Sequence, residues 1–229
     1  MKRLTLALLL AFSLLPGVHA AEQSTVQEGD LGERQYVLLE TTDGEILVEL
    51  YSQRAPATVK NFVKYVEDGF YDKTTFHRVI KDFVVQGGGY TPDFEVKETR
   101  EPVKNESRDS RLRNLRGTIA MARTNDPHSA TSQFYFNLKD NSGLDWTGPY
   151  GGYTVFGSVA LGMEDVVDDI AKIPTGPGPE DADIVIDRDV PFRPVYIIKA
   201  SVVEPEEARQ MIKAAQGAED KSADEKVEK

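Results

Sequence analysis

Along the chain, short apolar runs alternate with turn signals, and two stretches repeat with a helical period. After Pro56, the residues Val59, Phe62, Val63 and Val66 fall at i, i+3, i+4 and i+7, and Gly69 closes the run. Met163, Val166, Val167 and Ile170 repeat that spacing. Such spacing gathers apolar side chains on one helix face, and a leading proline and trailing glycine mark its limits. Residues 36–39 and 45–50 read as strands, with Asp43-Gly44 between them as a hairpin signal. Residues 75–86 are apolar and β-prone, and 119–122, 133–138, 154–159 and 195–203 read as further strands. The charged stretch 90–116 has no period and reads as a surface excursion, 141–153 is turn-rich, and 174–179 is a Pro/Gly loop. Many short strands with two core helices predict a closed or sandwiched antiparallel sheet.

The two ends differ from this middle. Lys2 and Arg3 precede an apolar run over 4–15, Pro16-Gly17 breaks it, and Val18-His19-Ala20 supplies small residues at a cleavage site. Residues 1–20 are therefore expected to be a secretory signal peptide, too short for a comfortable membrane span. Residues 21–35 are polar and acidic and read as a flexible lead-in. From Glu204 to Lys229 the chain is rich in Ala, Glu, Lys and Asp, the composition of a charged helical or disordered tail, solvated rather than packed. The folded domain is expected over 36–203.

Composition then removes whole classes of chemistry. At 40% hydrophobic and 28% charged, the chain can build a sizeable core. The absence of cysteine excludes disulfides, thiolate nucleophiles, cysteine-ligated metals and a lipid anchor after cleavage. Loss of residues 1–20 removes two basic residues and no carboxylate, so the formal charge moves from −11 to −13. Such a surface argues against nucleic acid and against membrane insertion. Only His77 and His128 remain beyond residue 20, which makes a zinc site or a serine triad a poor expectation. The clusters Asp165/Asp168/Asp169 and Glu180/Asp181/Asp183 lack EF-hand spacing and read as solvated faces. Gly87-Gly88-Gly89 lacks the Lys-Ser/Thr and helix of a phosphate loop, and reads as tight backbone packing.

The informative segment runs from Phe76-His77-Arg78 to Phe83-Val84-Val85-Gln86-Gly87. Arg78 and Gln86 share strand parity on a mostly apolar stretch, although Lys81-Asp82 offers a turn between them. A guanidinium on such a face is either paired with a carboxylate or set to meet a ligand. Both readings stay open from this segment alone.

Further blocks extend the pattern: Thr58-Val59-Lys60-Asn61-Phe62, Gly117-Thr118-Ile119-Ala120-Met121-Ala122-Arg123, Ser132-Gln133-Phe134-Tyr135-Phe136 and Tyr153-Thr154-Val155-Phe156-Gly157. In type and order these blocks resemble the cyclophilin family of peptidyl-prolyl cis/trans isomerases over about 36–203. The blocks Lys104-Asn105-Glu106, Leu112-Arg113-Asn114 and Gly117-Thr118-Ile119 look most like its bacterial periplasmic branch. The resemblance implies a mainly β fold, a closed eight-stranded antiparallel β-barrel capped by two α-helices. It implies a monomeric isomerase that needs no cofactor and no metal and assists the folding of proline-containing exported or unfolded polypeptides in the periplasm.

By the same resemblance, Arg78 is the catalytic residue and Gln86 holds it and the substrate carbonyl. Phe83, Val84, Tyr135, Leu144 and Tyr153 would grip the proline ring. Ala122, Arg123 and Gln133 would line the groove for neighbouring residues, the first two mainly through backbone. Phe134 and Phe136, alternating with Tyr135, are expected to point into the barrel. Departures concern preference more than activity. Tyr135 and Tyr153 would add hydroxyls to the pocket wall, and Val84 is smaller than the usual methionine. Gly143 stands where animal members often carry tryptophan, so cyclosporin binding is expected to be weak. A groove-bearing peptide binder without turnover is the alternative, against which Arg78, Phe83 and Gln86 argue together. A structural partner in an envelope complex gains only from the tail.

Overall fold

The hairpin at the start of the domain founds the sheet. A computed structural model describes residues 34–148, 151–179 and 188–227, with side chains through 218. In it β1 (Gln35–Thr41) and β2 (Gly44–Leu50) pair from Gln35↔Leu50 to Thr41↔Gly44. The turn is Thr42-Asp43, one residue earlier than the sequence signal, and Gly44 opens the second strand at φ 134°. The expected signal peptide over 1–20, most of the lead-in over 21–35 and the cluster at Glu180 to Asp183 lie outside the described residues.

Helix α1 (Pro56–Glu67) carries its proline in the first turn and buries Thr58, Val59, Phe62, Tyr65 and Val66. Ala55 before it has no side-chain oxygen to offer the free N–H groups of the first turn. Glu106 supplies one from afar. Its carboxylate accepts from Ala57 N at 3.1 Å, Thr58 N at 2.8 Å and Thr58 Oγ1 at 2.7 Å. The stretch 90–116 is therefore not merely a surface excursion: Phe94, Glu106, Ser107, Ser110 and Asn114 are buried, and Ser107–Ser110 forms the short helix α2.

The remaining strands are β3 (Arg78–Ile80), β4 (Val84–Gly87), β5 (Thr118–Met121), β6 (Phe134–Asn137), β7 (Val155–Leu161), β8 (Thr175–Gly176), β9 (Val190–Pro191) and β10 (Ile197–Val203). Eight of the ten described strands form one antiparallel sheet in the order β10-β1-β2-β7-β5-β6-β4-β3, while β8 and β9 pair apart. The sheet is mainly responsible for the fold, but it curls into a half-barrel and does not close as expected. β3 is three residues long, and its outer edge is occupied by main chain from the other side, Val79 N donating to Asp189 O at 2.7 Å. No ladder to β10 can form there; the edges meet at the bridge Thr75↔Tyr196 and at Phe76 N→Val195 O, 2.9 Å.

The concave face holds the core. Phe62 of α1 lies 5.1 Å from Tyr71, 5.6 Å from Phe134 and 5.0 Å from Phe156. Phe134 and Phe136 both point inward, as their alternation with Tyr135 predicts. The second helical stretch begins as a π-turn over Met163–Val167 and tightens into α3 (Asp168–Ile170), burying Met163, Val166, Val167 and Ile170. The triple glycine does serve close packing: a Cβ on Gly88, at φ 81°, would lie 2.8 Å from the Phe134 ring. The convex face is also apolar in part, and this changes the tail. Ala208 of α4 (Pro205–Val227) is fully buried, with Met211 and Ile212 packed against Tyr36, Leu47 and Val203. The first half of the expected solvated tail is thus docked on the sheet.

Candidate active site

The site grows from the β3–β4 hairpin. The chain turns at Asp82, φ 57°, with Phe83 N donating to Ile80 O at 3.0 Å. That turn sets Arg78 directly opposite Gln86. Cross-strand partners are near neighbours, and Arg78 Nη1 donates to Gln86 Oε1 at 3.4 Å. Gln86 Nε2 in turn donates to Gln133 Oε1 at 3.0 Å, and Gln133 Nε2 to Tyr90 Oη at 3.3 Å. On its other side Arg78 Nε lies 3.6 Å from Asp189 Oδ2. Both sequence readings of the arginine therefore hold at once. It is paired with a carboxylate, and its guanidinium also forms part of a cavity wall.

That cavity has a volume of about 140 Å³ and is lined by Arg78, Phe83, Val84, Gln86, Ala122, Arg123, Tyr135, Leu144 and Tyr153. Every residue singled out from the sequence is present except Gln133, which stands behind Gln86. Val84, Ala120, Tyr135 and Val155 form the buried floor, and Phe83, Ala122, Leu144 and Tyr153 pack around it. The Tyr135 and Tyr153 rings meet edge to face, 5.9 Å apart.

One expectation about this wall is corrected. The Tyr135 hydroxyl does not face the cavity: it donates to Asn114 Oδ1 at 2.8 Å inside a buried amide network with Asn137 and Asn141. Burial above all pushes its pKa well above the usual tyrosine range, so it remains a neutral donor. Arg123 contributes its side chain as well as backbone. Its guanidinium lies 4.4 Å from the centre of the Tyr153 ring, while Nε donates to Gly152 O at 3.2 Å and Nη1 to Thr124 O at 2.9 Å. The cation–π stack stiffens the wall because the ring face attracts the charge.

The histidines serve elsewhere. His77 points away from the cavity and packs edge-on against Tyr90, ring centres 4.6 Å apart. Burial foremost lowers its pKa to about 4, so it is neutral at pH 7. His128 is exposed and accepts from Asn105 N through Nδ1 at 3.1 Å. Trp146 is 45% exposed and belongs to a separate hollow of about 320 Å³ beside Arg108.

Sequence reasoning missed three supports. Glu106 caps α1, and Asn114 joins the floor to the loop after β6, its N–H donating to Asp145 Oδ1 at 2.7 Å. Both sit in blocks that the resemblance marked, but nothing local announced their contacts. Asp189, beyond the Pro/Gly loop, had no signal at all.

The arrangement is a small slot with an apolar floor, two permanent cations, Arg78 and Arg123, and the Gln86 amide in its wall. It suits a neutral ring flanked by carbonyls. The model of the family described as cyclophilin type peptidyl-prolyl cis-trans isomerase/CLD matches residues 36–202. The chain is 51% identical to peptidyl-prolyl cis-trans isomerase cyp18 of Streptomyces antibioticus over 73% of its length and 98% of that protein. It is 50% identical to peptidyl-prolyl cis-trans isomerase A of Dickeya dadantii, covering 73% of this chain and 84% of that one. Against peptidyl-prolyl cis-trans isomerase B of Escherichia coli the identity is 45%, over 73% and 99% of the two chains. A crystal structure of a cyclophilin type isomerase from Cryptosporidium parvum superposes with TM-score 0.59 at 24% identity, over 74% of this chain and 98% of that one, and speaks to fold alone. The chain belongs to the cyclophilin family and is a peptidyl-prolyl cis-trans isomerase.

Proposed function

We propose that the 140 Å³ slot grips a prolyl ring while Arg78 donates to the twisted imide, and that the substrates are exported polypeptides folding in the periplasm. Rotation about an X-Pro bond is slow because resonance stiffens the C–N bond, and the barrier is about 18–20 kcal/mol. No bond is made or broken. The catalyst must favour the twisted state, in which conjugation is lost and the prolyl nitrogen becomes a hydrogen-bond acceptor.

Arg78 suits this task. A guanidinium is always charged and has only donors, held in a planar fork. Gln86 braces that fork from across the hairpin at 3.4 Å and can itself donate to a carbonyl. A single charge-assisted hydrogen bond contributes about 1.5–3 kcal/mol, whereas a millionfold acceleration needs about 8 kcal/mol. The remainder falls to the ring clamp of Phe83, Val84, Tyr135, Leu144 and Tyr153 and to the exclusion of water.

The observation that carries the reading is Arg78 in the wall of the slot, its Nη1 donating to Gln86 of the same wall. The test is a protease-coupled proline assay on the mature domain. Arg78→Ala should cripple turnover while peptide binding remains measurable. A folded variant that loses binding and turnover together would contradict the role. The periplasmic assignment rests on the sequence of residues 1–20 and on the three bacterial-type blocks. Cleavage after Ala20 and recovery of the mature chain from a periplasmic extract would test it. The enzyme is expected to act as a monomer on unfolded clients, which sedimentation and a refolding assay on a proline-limited substrate would check.

A further inference from the structure

Arg78 is held from both sides, and the second brace has no counterpart in the reading above. Three features place Asp189 there. Its carbonyl accepts from Val79 N at 2.7 Å, docking the segment ahead of β9 on the open edge of β3. Its Oδ2 lies 3.6 Å from Arg78 Nε. Its backbone sits at φ 71°, a conformation that glycine adopts most easily and that Asn and Asp tolerate better than other residues. For the turn alone glycine would suffice. Aspartate adds a carboxylate beside Nε, while Nη1 is the nitrogen that donates to Gln86.

We infer that Asp189 is a positioning residue for isomerisation, steering the Arg78 guanidinium through Nε so that its Nη edge meets the slot. This rests on Arg78 being the catalytic group. An arginine whose side chain is 38% exposed has several rotamers open to it, and two braces on opposite edges define the plane of the fork. Pairing through Nε leaves the Nη donors for Gln86 and substrate. Asp189 is itself partly open to water, its side chain 22% exposed, so the pair is screened and does not cancel the attraction of the arginine for a substrate acceptor.

Two substitutions separate the acceptor from the turn. Asp189→Gly keeps the backbone conformation and loses the carboxylate; Asp189→Asn keeps the conformation and a polar oxygen but loses the charge. In the proline assay Asp189→Gly should lower kcat/KM about tenfold through misplacement of the fork, with peptide Kd little changed. Asp189→Asn should restore only part of that loss, since a neutral oxygen replaces the ion pair. The Arg78 Nε–H resonance should exchange with water faster in Asp189→Gly than in the parent. Full turnover in Asp189→Gly would overturn the inference. So would equal losses in both variants accompanied by lowered melting temperatures, which would mark a purely structural role. Arg78→Ala in the same assay tells the two readings apart: if it is inactive while Asp189→Gly is unimpaired, only the role of Asp189 falls. If Arg78→Ala retains turnover, both fall.

Discussion

The Tyr135 hydroxyl donates to Asn114 Oδ1 at 2.8 Å, so the ring that floors the slot is anchored from beneath. Asn114 is tied in turn to Asp145 and Asn137. Tyr135→Phe removes one buried hydrogen bond and should destabilise the fold by about 1 kcal/mol. Asn114→Ala strands the tyrosine hydroxyl and takes one of two acceptors from the Asn137 amide, which keeps Thr118 Oγ1 at 2.9 Å, and should cost about 2 kcal/mol. A double-mutant cycle by urea unfolding should return a coupling near 1 kcal/mol. Strictly additive losses would show the bond to be energetically idle.

His77 makes stability depend on pH in a defined window. Its imidazole has a pKa of about 4 in the folded chain, against an ordinary value of 6.5, because burial penalises the charged form. Between those values the unfolded chain binds a proton that the native chain refuses. Stability therefore falls as pH drops from 6.5 toward 4, by about 3 kcal/mol in all. Asp43, whose carboxyl Arg193 holds below its usual 3.8, gives up its contribution only at lower pH. Urea midpoints at pH 7, 6 and 5 should decline in the parent and flatten in His77→Asn. Equal slopes in the two proteins would show that another group governs the window.

The tail divides at the edge of its packed turns. Deleting 205–229 uncovers Tyr36, Leu47 and Val203, which Ala208, Met211 and Ile212 now cover. That should cost about 3 kcal/mol and lower the melting temperature. Deleting 218–229 removes nothing that packs against the sheet among the described side chains, and the melting temperature should hold. Turnover of the two truncated chains should agree at a temperature at which both remain folded. A stable 1–204 chain would show the docking to be superficial.

Cyclosporin sensitivity should be tunable at Gly143. A Cβ there meets nothing within 4 Å, and the residue does not have a positive φ. Trp146 cannot substitute, since it faces the hollow beside Arg108. Gly143→Trp should extend the apolar wall next to Leu144 and strengthen inhibition about tenfold, the effect of one added aromatic contact. Trp146→Ala should leave inhibition as it is. Unchanged inhibition in Gly143→Trp would place the determinant elsewhere.

Much of the fold was legible because it is written locally. The face of α1, the inward alternation of Phe134 and Phe136, and the opposition of Arg78 and Gln86 follow from periods of 3.6 and 2 along single elements. The lining of the slot came from the resemblance, whose blocks already stood in the right order. What escaped was long-range. Closure of the barrel failed because a three-residue β3 has its edge taken by Asp189, a contact no pattern announces. The tail docked because β1, β2 and β10 carry apolar side chains on the convex face too, which is visible only once the sheet is assembled.

The amino-acid order by itself determined the helix faces and the strand alternation, because residue type and spacing decide what can form an apolar face, and through its resemblance it pointed to the residues that line the slot. Only the tertiary structure decided how those residues are held: Glu106 under α1, Asn114 under Tyr135, Asp189 beside Arg78. Each of these supports joins segments far apart in the chain. Their pairing depends on distances in space that no local rule of the backbone encodes.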